Sequence, residues 1–242
     1  MGEMSTVALV VVLLAIVLGA FVQSTVGIGL GLVAAPVVTL AAPQLMPGGM
    51  LMVVVLLPIV TLARERDEID WGGLGWAFPA RVVGTVVGVW VVASVDDRQL
   101  GIAVGAMVLA AVLLTARTVV IPVNRGTLSG AGFVSGVTGT ASSIGGPPLA
   151  LLLQRRTPRQ IRTTLAVYFL LGSLLSLVGL AWAGELTVDE AWFALAAVPA
   201  LVLGFAVSGP LRRRLPAHVV RPLVLLVSGA SAVALIVRST FG

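Results

Sequence analysis

Residues 21–36 read FVQSTVGIGLGLVAAP, and residues 132–148 read GFVSGVTGTASSIGGPP. Both runs place glycine, hydroxyl side chains and proline inside otherwise apolar sequence. Glycine loosens a helix, and proline removes an amide hydrogen and fixes φ. Backbone freed in this way is tolerated at membrane depth only where it is buried in protein or lines a watery cavity. We therefore predict a broken, re-entrant segment at each run.

The sequence around these runs has the composition of an integral membrane protein. Of the 242 residues, 58% are hydrophobic and 10% are charged, and the mean hydropathy is +1.11. A water-soluble domain needs more charge than this to cover its surface. Because a spanning helix needs about 20 apolar residues, we predict an all-α, polytopic protein of a bacterial inner membrane. Its apolar stretches are 5–22, 28–41, 46–63, 73–94, 99–121, 127–139, 144–154, 162–183, 190–210 and 218–238.

The two runs occupy matching places in the two halves of the chain. Phe-Val, Gly and Pro at positions 21, 27 and 36 recur with the same spacing at positions 133, 139 and 148. Further along, the pattern of residues 79–87 recurs at 199–207. Ordered matches of this kind indicate duplication. We predict two transmembrane repeats, 1–121 and 122–242, each with one broken segment and three transmembrane helices.

Arginine in the loops predicts how the repeats are oriented. The arginines concentrate in the loops at 64–70, 117–125, 155–162 and 212–221, and the loops at 42–47, 95–98 and 184–190 carry one between them. Cytoplasmic loops are enriched in Lys and Arg. If all four arginine-rich loops are cytoplasmic, both termini lie outside and the two repeats have inverted topology. Inverted repeats are typical of secondary transporters, whose substrate site lies between the repeats near the midplane.

The broken segments also predict the charge of the substrate. The N-terminus of a half-helix presents unpaired N–H groups and the positive end of the helix dipole, which favour an anion. Arg81 lies near the middle of an apolar stretch and could add positive potential, although it could equally be a structurally paired or snorkelling arginine. The predicted substrate-binding residues are Gln23, Ser24, Thr25, Gly27, Gly29, Arg81, Ser135, Thr138, Gly139, Ser142, Ser143 and Arg162. We expect removal of the hydroxyls at Thr25 and Thr138 to weaken anion binding.

Other patterns are interpreted as structural or exclude further classes of function. The small-residue pairs Gly84/Gly88, Gly101/Gly105 and Gly204/Ser208 are typical of close helix packing. No nucleophile–base pair is visible, and one histidine with no cysteine offers no metal constellation. We therefore predict no enzyme activity, no cofactor and no metal. The charges form short clusters between apolar runs, which indicates partners of lipid and small anions and not nucleic acid.

At these two runs the sequence resembles the sulfite exporter TauE/SafE family. Gln23 to Gly31 followed by Pro36 is similar to its Gln-x-x-x-Gly-x-Gly-x-Gly run, and 132–136 with 145–148 is similar to its Gly-x-x-Ser-Gly…Gly-Pro-Pro run. Arg162 matches the arginine that opens the family's next helix. The resemblance implies a permease that moves sulfite, thiosulfate or organosulfonates such as sulfoacetate, often outward. A non-catalytic membrane subunit and a passive channel for another small anion stay open as alternatives, as do a monomer and a homodimer.

Overall fold

The structure is a computed structural model that describes residues 6–116, 121–212 and 217–241. Within these ranges it contains helices and no strand, so the predicted all-α class is confirmed. A short 3-10 helix, Pro43–Leu45, connects the second helix to the third. The α-helices are α1 Thr6–Val26, α2 Leu30–Ala41, α3 Gly48–Arg64, α4 Trp71–Ser94, α5 Asp97–Ala116, α6 Arg125–Ser142, α7 Gly146–Leu153, α8 Pro158–Ala183, α9 Val188–Arg212 and α10 Ala217–Phe241.

Five helices in the described ranges are long and apolar enough to cross a membrane. They are α1, α4, α5, α8 and α9, whereas α2, α3 and the part of α10 from Leu225 onward are shorter apolar helices. Many large apolar side chains on these helices are exposed, including Val86 of α4 at 66% and Leu195 of α9 at 61%. A water-soluble monomer rarely exposes apolar surface on this scale. The outer surface therefore fits a lipid environment.

Both predicted breaks are present, a few residues later than the sequence indicated. α1 ends at Val26 and α2 begins at Leu30; α6 ends at Ser142 and α7 begins at Gly146. The first break contains two glycines with positive φ, Gly27 at 96° and Gly29 at 148°, which only glycine adopts readily. With 21 residues, α1 is about 31 Å long at 1.5 Å per residue, which suffices to cross the hydrocarbon core. The helix before the first break is thus long enough to span the membrane and is not a short re-entrant helix.

The small-residue pairs lie at tight helix contacts, as predicted. A Cβ at Gly88 of α4 would be 2.8 Å from the Cβ of Thr140 of α6. A Cβ at Gly105 of α5 would be 2.5 Å from Ile236 of α10. A Cβ at Gly204 of α9 would overlap the carbonyl oxygen of Val17 of α1. Close backbone approach through small residues stabilises helix pairs in membranes.

Two loops with few arginines contact each other at the start of α3, and two loops with many arginines contact each other at its end. At its start, the amide of Gly49 donates to Glu190 Oε1 at 3.2 Å, which joins the region of loop 42–47 to that of loop 184–190. Just beyond its end, Glu65 accepts from Arg162 Nη2 at 2.6 Å, which joins loop 64–70 to loop 155–162. These four loops are therefore grouped as the arginine distribution requires. Residues 117–120 and 213–216, in the other two arginine-rich loops, lie outside the described residues.

Candidate anion-binding site

A cavity lies where the two broken segments meet. The centre of a water molecule can reach about 30 Å³ of it. A space of this size holds one or two waters or a small ion. The lining comprises Gln23, Ile28, Gly29, Gly31, Leu32, Leu51, Val54, Arg81, Gly139, Ser143, Ile144, Gly145, Gly146, Pro147, Phe169 and Ser173.

The first broken segment brings amide donors to the cavity. Gln23, which is buried, accepts a hydrogen bond from the amide of Leu30 at 3.1 Å through Oε1. This contact fixes the orientation of the side-chain amide, so its two N–H donors are left for other partners. Gly31, in the first turn of α2, also lines the cavity, and intrahelical hydrogen bonds do not use the amides of a first turn. The positive end of the α2 dipole therefore faces the cavity.

The second broken segment supplies fewer amides. α7 has no side-chain cap, but its second and third residues, Pro147 and Pro148, have no amide hydrogen. Free N–H groups in this turn are thus limited to Gly145 and Gly146. The backbone turns at Ser143, whose φ of 60° is in the left-handed region. Ser143 also fixes the break to the neighbouring backbone, because its hydroxyl donates to the Pro47 carbonyl at 3.2 Å.

The two breaks touch each other directly. Gly31 of α2 faces the carbonyl of Ser143, and a Cβ at Gly31 would overlap that oxygen. Any larger residue at this position would separate the two segments. The cavity is therefore shared by residues that are far apart in the sequence, with backbone on both sides.

Arg81 is the cationic residue that lines the cavity. Its side chain in the middle of α4 is 1% exposed, and Nη1 donates to Ser135 Oγ of α6 at 3.0 Å. Cζ lies 4.5 Å from the centre of the Tyr168 ring of α8, a distance at which a cation–π interaction stabilises the guanidinium. Gly172, one turn further along α8, leaves the space that Arg81 occupies, because a Cβ there would overlap the guanidinium.

Ser135 orients the guanidinium and closes the second break at the same time. Its hydroxyl accepts from Arg81 and donates to the carbonyl of Gly145, the residue that precedes α7. One hydroxyl thus ties α4, α6 and the start of α7 together. The cationic group and the α7 N-terminus are thereby held at a fixed separation.

In the described part of the chain, no carboxylate forms an ion pair with Arg81. The ion pairs between described residues include Arg156–Asp70, Arg159–Asp67 and Arg162–Glu65, which join the segment between α3 and α4 to the α7–α8 loop and the start of α8. Nε of Arg81 is buried without a hydrogen-bond partner. Burying a charge without a counter-charge costs several kcal/mol or more. Among the described residues, the partners of the Arg81 guanidinium are a neutral serine and an aromatic ring. An anion in the cavity would supply the missing negative charge.

Four of the predicted hydroxyl residues do not line this cavity. Their hydroxyls donate to carbonyl oxygens of their own helix: Ser24 to Ala20, Thr25 to Phe21, Thr138 to Val134 and Ser142 to Thr138. A hydroxyl has one hydrogen to donate. In this conformation these hydroxyls therefore donate within α1 and α6 and not towards the cavity.

Gly27 and Arg162 lie towards the end of the molecule where the arginine-rich loops meet. Both line a smaller cavity next to the first one, and Arg162 also lines an outer cavity together with Ser24. The structure therefore brings Gln23, Gly29, Arg81, Gly139 and Ser143 to one cavity and Ser135 directly behind it. It places Ser24, Gly27 and Arg162 along a separate approach.

Two helices that no sequence pattern marked as part of the site also contribute to it. Phe169 and Ser173 of α8 and Leu51 and Val54 of α3 line the cavity. Ser173 follows Gly172 in an apolar helix, and this pair of small residues is the sequence pattern that could have indicated a contribution from α8. The α3 residues are aliphatic and have no pattern that separates them from lipid-facing positions.

Comparison with known families decides the class of the protein. The family model described as "Sulfite exporter TauE/SafE" matches residues 11–235, which includes both broken segments and the cavity between them. The chain belongs to the sulfite exporter TauE/SafE family. No curated protein and no solved structure matches the chain.

Membership in the TauE/SafE family makes this chain a membrane transporter and not an enzyme. It agrees with the five helices in the described ranges that are long and apolar enough to cross a membrane. The chain is therefore a multi-pass membrane protein. The prediction of family membership from the Gln-x-x-x-Gly and Gly-Pro-Pro runs is confirmed over most of the chain.

Proposed function

We propose that this TauE/SafE protein is a secondary transporter that exports sulfite or a related sulfur-containing anion across a bacterial inner membrane. The substrate binds between the two repeats, in the cavity beside Arg81. The observation that carries this proposal is the buried guanidinium of Arg81, which faces the cavity and has no carboxylate partner among the described residues. Such a group attracts an anion that has lost its water.

The remaining donors suit a small oxyanion. Arg81 presents planar N–H groups, which match the oxygens of an oxyanion. Gln23 and the first turn of α2 add neutral donors, so charge on the anion is shared without a second cation. Thiosulfate and small organosulfonates present oxygens of the same kind, so we expect them to compete with sulfite for this site.

Alternating exposure of this cavity would follow from the inverted arrangement of the two repeats. The grouping of the four loops at the ends of α3 supports that arrangement. Because the chain has no cysteine, single cysteines report the side of each loop directly. We expect an impermeant thiol reagent to label Val188→Cys from outside and Arg155→Cys from the cytoplasm. Cytoplasmic labelling of position 188 would overturn the topology.

Reconstitution of the protein alone tests the transport function. We expect saturable uptake of radiolabelled sulfite into proteoliposomes, with competition by thiosulfate and sulfoacetate. Counterflow against preloaded sulfite is expected as well, because a carrier exchanges substrate whereas a continuously open pore cannot. Uptake without saturation or counterflow would indicate a channel. No uptake under any ion gradient, together with a stoichiometric copurifying protein, would indicate a subunit of a larger complex.

A further inference from the structure

One ion pair of the arginine-rich end is unlike its neighbours. Arg162, near the start of α8, donates to Glu65, just after α3, at 2.6 Å, and their side chains are 14% and 30% exposed. The nearby pair Arg159–Asp67, at 2.8 Å, has side chains that are 46% and 71% exposed. Exposed pairs contribute little to stability. The partly buried pair is therefore the one whose rearrangement has consequences inside the protein.

The Glu65–Arg162 pair lies at the outer end of a line of cavities. It lines an outer cavity in which the centre of a water molecule can reach about 120 Å³, and Arg64 and Thr61 also line this cavity. Thr61 and Arg162 also line a middle cavity, where the centre of a water molecule can reach only about 10 Å³. That is at or below the space one water needs, so the route is closed there.

The middle cavity borders the anion site. Gln23 and Phe169 line both of them, so the line runs from Glu65–Arg162 past Thr61 to Gln23 and Arg81. Each pair of adjacent cavities has at least two lining residues in common. The ion pair and the buried arginine are thus the two ends of one approach.

Arg162 also touches the first break. The position of a Cβ on Gly27 lies 3.5 Å from both Cα and Cγ of Arg162. Gly27 follows the last residue of α1 and has a φ of 96°, so it can adopt a change in backbone direction that other residues resist. A movement of Arg162 would therefore be felt where α1 turns towards α2.

We propose that the Glu65–Arg162 pair is the gate of this approach, and that the transported oxyanion opens it by replacing the Glu65 carboxylate on Arg162. A carboxylate and a sulfur oxyanion offer the same kind of acceptor to a guanidinium. When Arg162 turns to the anion, its side chain no longer closes the passage beside Glu65 and the middle cavity widens at this point. The identity of the anion rests on the proposed function, whereas the gate itself does not.

The Glu65–Arg162 pair is not needed to hold the loop after α3 against α8. The loop between α3 and α4 is already held against the start of α8 by Arg159–Asp67, by Thr157 donating to Glu68 at 2.8 Å and by the amide of Asp70 donating to Thr164 at 3.0 Å. These contacts stay intact when Glu65 loses its charge. Glu65→Gln therefore opens the approach without releasing the loop.

Chemical labelling of Ala166→Cys in purified protein measures the opening. The chain has no cysteine, and Ala166, which is 5% exposed, lines the middle cavity behind the gate and does not line the outer cavity. The reagent is neutral methyl methanethiosulfonate, so that a change in protein charge does not itself change the rate of encounter. We expect Glu65→Gln to accelerate labelling about tenfold, which corresponds to about 1.4 kcal/mol. The matched variant Asp67→Asn should leave the rate within about twofold, as for exposed pairs.

The exchanged pair Glu65→Arg with Arg162→Glu guards against a folding defect. It restores an ion pair at the same place, so labelling should return towards the wild-type rate. Equal labelling rates in Glu65→Gln and Asp67→Asn would overturn the gate. A fast rate in Glu65→Gln that persists in the exchanged pair would do so as well, because closure would then not depend on the ion pair.

A ligand separates failure of the gate from failure of the proposed function. Methanesulfonate is used, since sulfite would cleave the disulfide formed by the reagent. If sulfur oxyanions open the gate, methanesulfonate accelerates labelling of Ala166→Cys in the protein with wild-type Glu65 and not in Glu65→Gln. Acceleration by Glu65→Gln without any response to methanesulfonate supports the gate and contradicts the proposed substrate. No acceleration by either overturns the gate whatever anion is carried.

Discussion

The break between α1 and α2 is built from glycine, whereas the break between α6 and α7 is built from serine, glycine and proline. Gly27 and Gly29 take positive φ in the first, and Ser143 does so in the second. In the first, Gln23 accepts from the amide of Leu30 and keeps its own donors. In the second, Ser135 accepts from Arg81 and holds the carbonyl of Gly145. The two segments occupy matching places in the sequence but have different roles. The first presents neutral hydrogen-bond donors to the cavity, and the second positions the guanidinium of Arg81.

This division implies that the anion site depends most on the position of Arg81. The charge comes from α4, outside both breaks, and reaches the cavity only because α6 and α8 make room for it. The sensitivity of transport should therefore fall from the guanidinium to the first break and then to the second.

The largest effect should follow from filling the space beside the guanidinium. In Gly172→Ala the new Cβ overlaps Arg81, so the cation must leave its place against Tyr168 and Ser135. Losing a buried charged contact costs about 2–5 kcal/mol, so sulfite uptake should fall at least about 30-fold. Gly130→Ala, where a Cβ meets nothing within 4 Å, is the control and should keep full uptake. Equal uptake by both variants would contradict the position of Arg81.

A charge on the first break should give the next largest effect. Gln23→Glu keeps the acceptor for Leu30 but removes two donors and places a carboxylate in the cavity. Like charges in a buried site repel, and we expect the apparent affinity for sulfite in uptake assays to fall about tenfold or more. Gln99→Glu makes the same change at an exposed glutamine that also accepts from a backbone amide. Uptake by Gln99→Glu should match that of the wild type.

The second break should respond less, because its serine acts through Arg81. Ser135→Ala removes the hydrogen bond to the guanidinium but keeps the contact with Tyr168. A hydrogen bond to a charged group contributes about 1.5–3 kcal/mol, of which the anion itself regains a part, so we expect roughly a threefold to tenfold loss of affinity. Ser129→Ala on the same helix is the control. If Arg81 does not need Ser135 to orient it, the affinity of Ser135→Ala for sulfite will equal that of Ser129→Ala.

The smallest effect should come from the hydroxyls that the sequence places beside the breaks. Thr25 and Thr138 donate to Phe21 and Val134 of their own helices, at 2.8 Å and 3.0 Å. Valine has the same shape and suits a membrane helix, so Thr25→Val and Thr138→Val should change sulfite affinity by less than about twofold. A tenfold loss in either variant would mean that these hydroxyls turn towards the anion during transport.

The sequence sufficed for the class of fold, the family and the two breaks because those depend on composition and local backbone chemistry. Closely spaced glycines mark the first break and Gly-Gly-Pro-Pro marks the second, although Pro36, Pro58 and Pro79 lie inside helices. Arginine marks a buried cation in an apolar stretch. The hydroxyl donors were less predictable, since a threonine can donate to its own helix or to a ligand with the same sequence around it. Phe169 and Leu51 could not be predicted, because only the packing of α8 and α3 turns these apolar residues inward.

The central claim is that Arg81 binds the transported anion, and calorimetric titration of the purified protein with sulfite at constant ionic strength tests it most directly. The wild type should bind sulfite, and Arg81→Gln should show no measurable binding. Arg125→Gln removes an exposed arginine that also lies over an aromatic ring, with Cζ 4.7 Å from the centre of Trp76, and should bind like the wild type. Undiminished binding by Arg81→Gln would contradict the account.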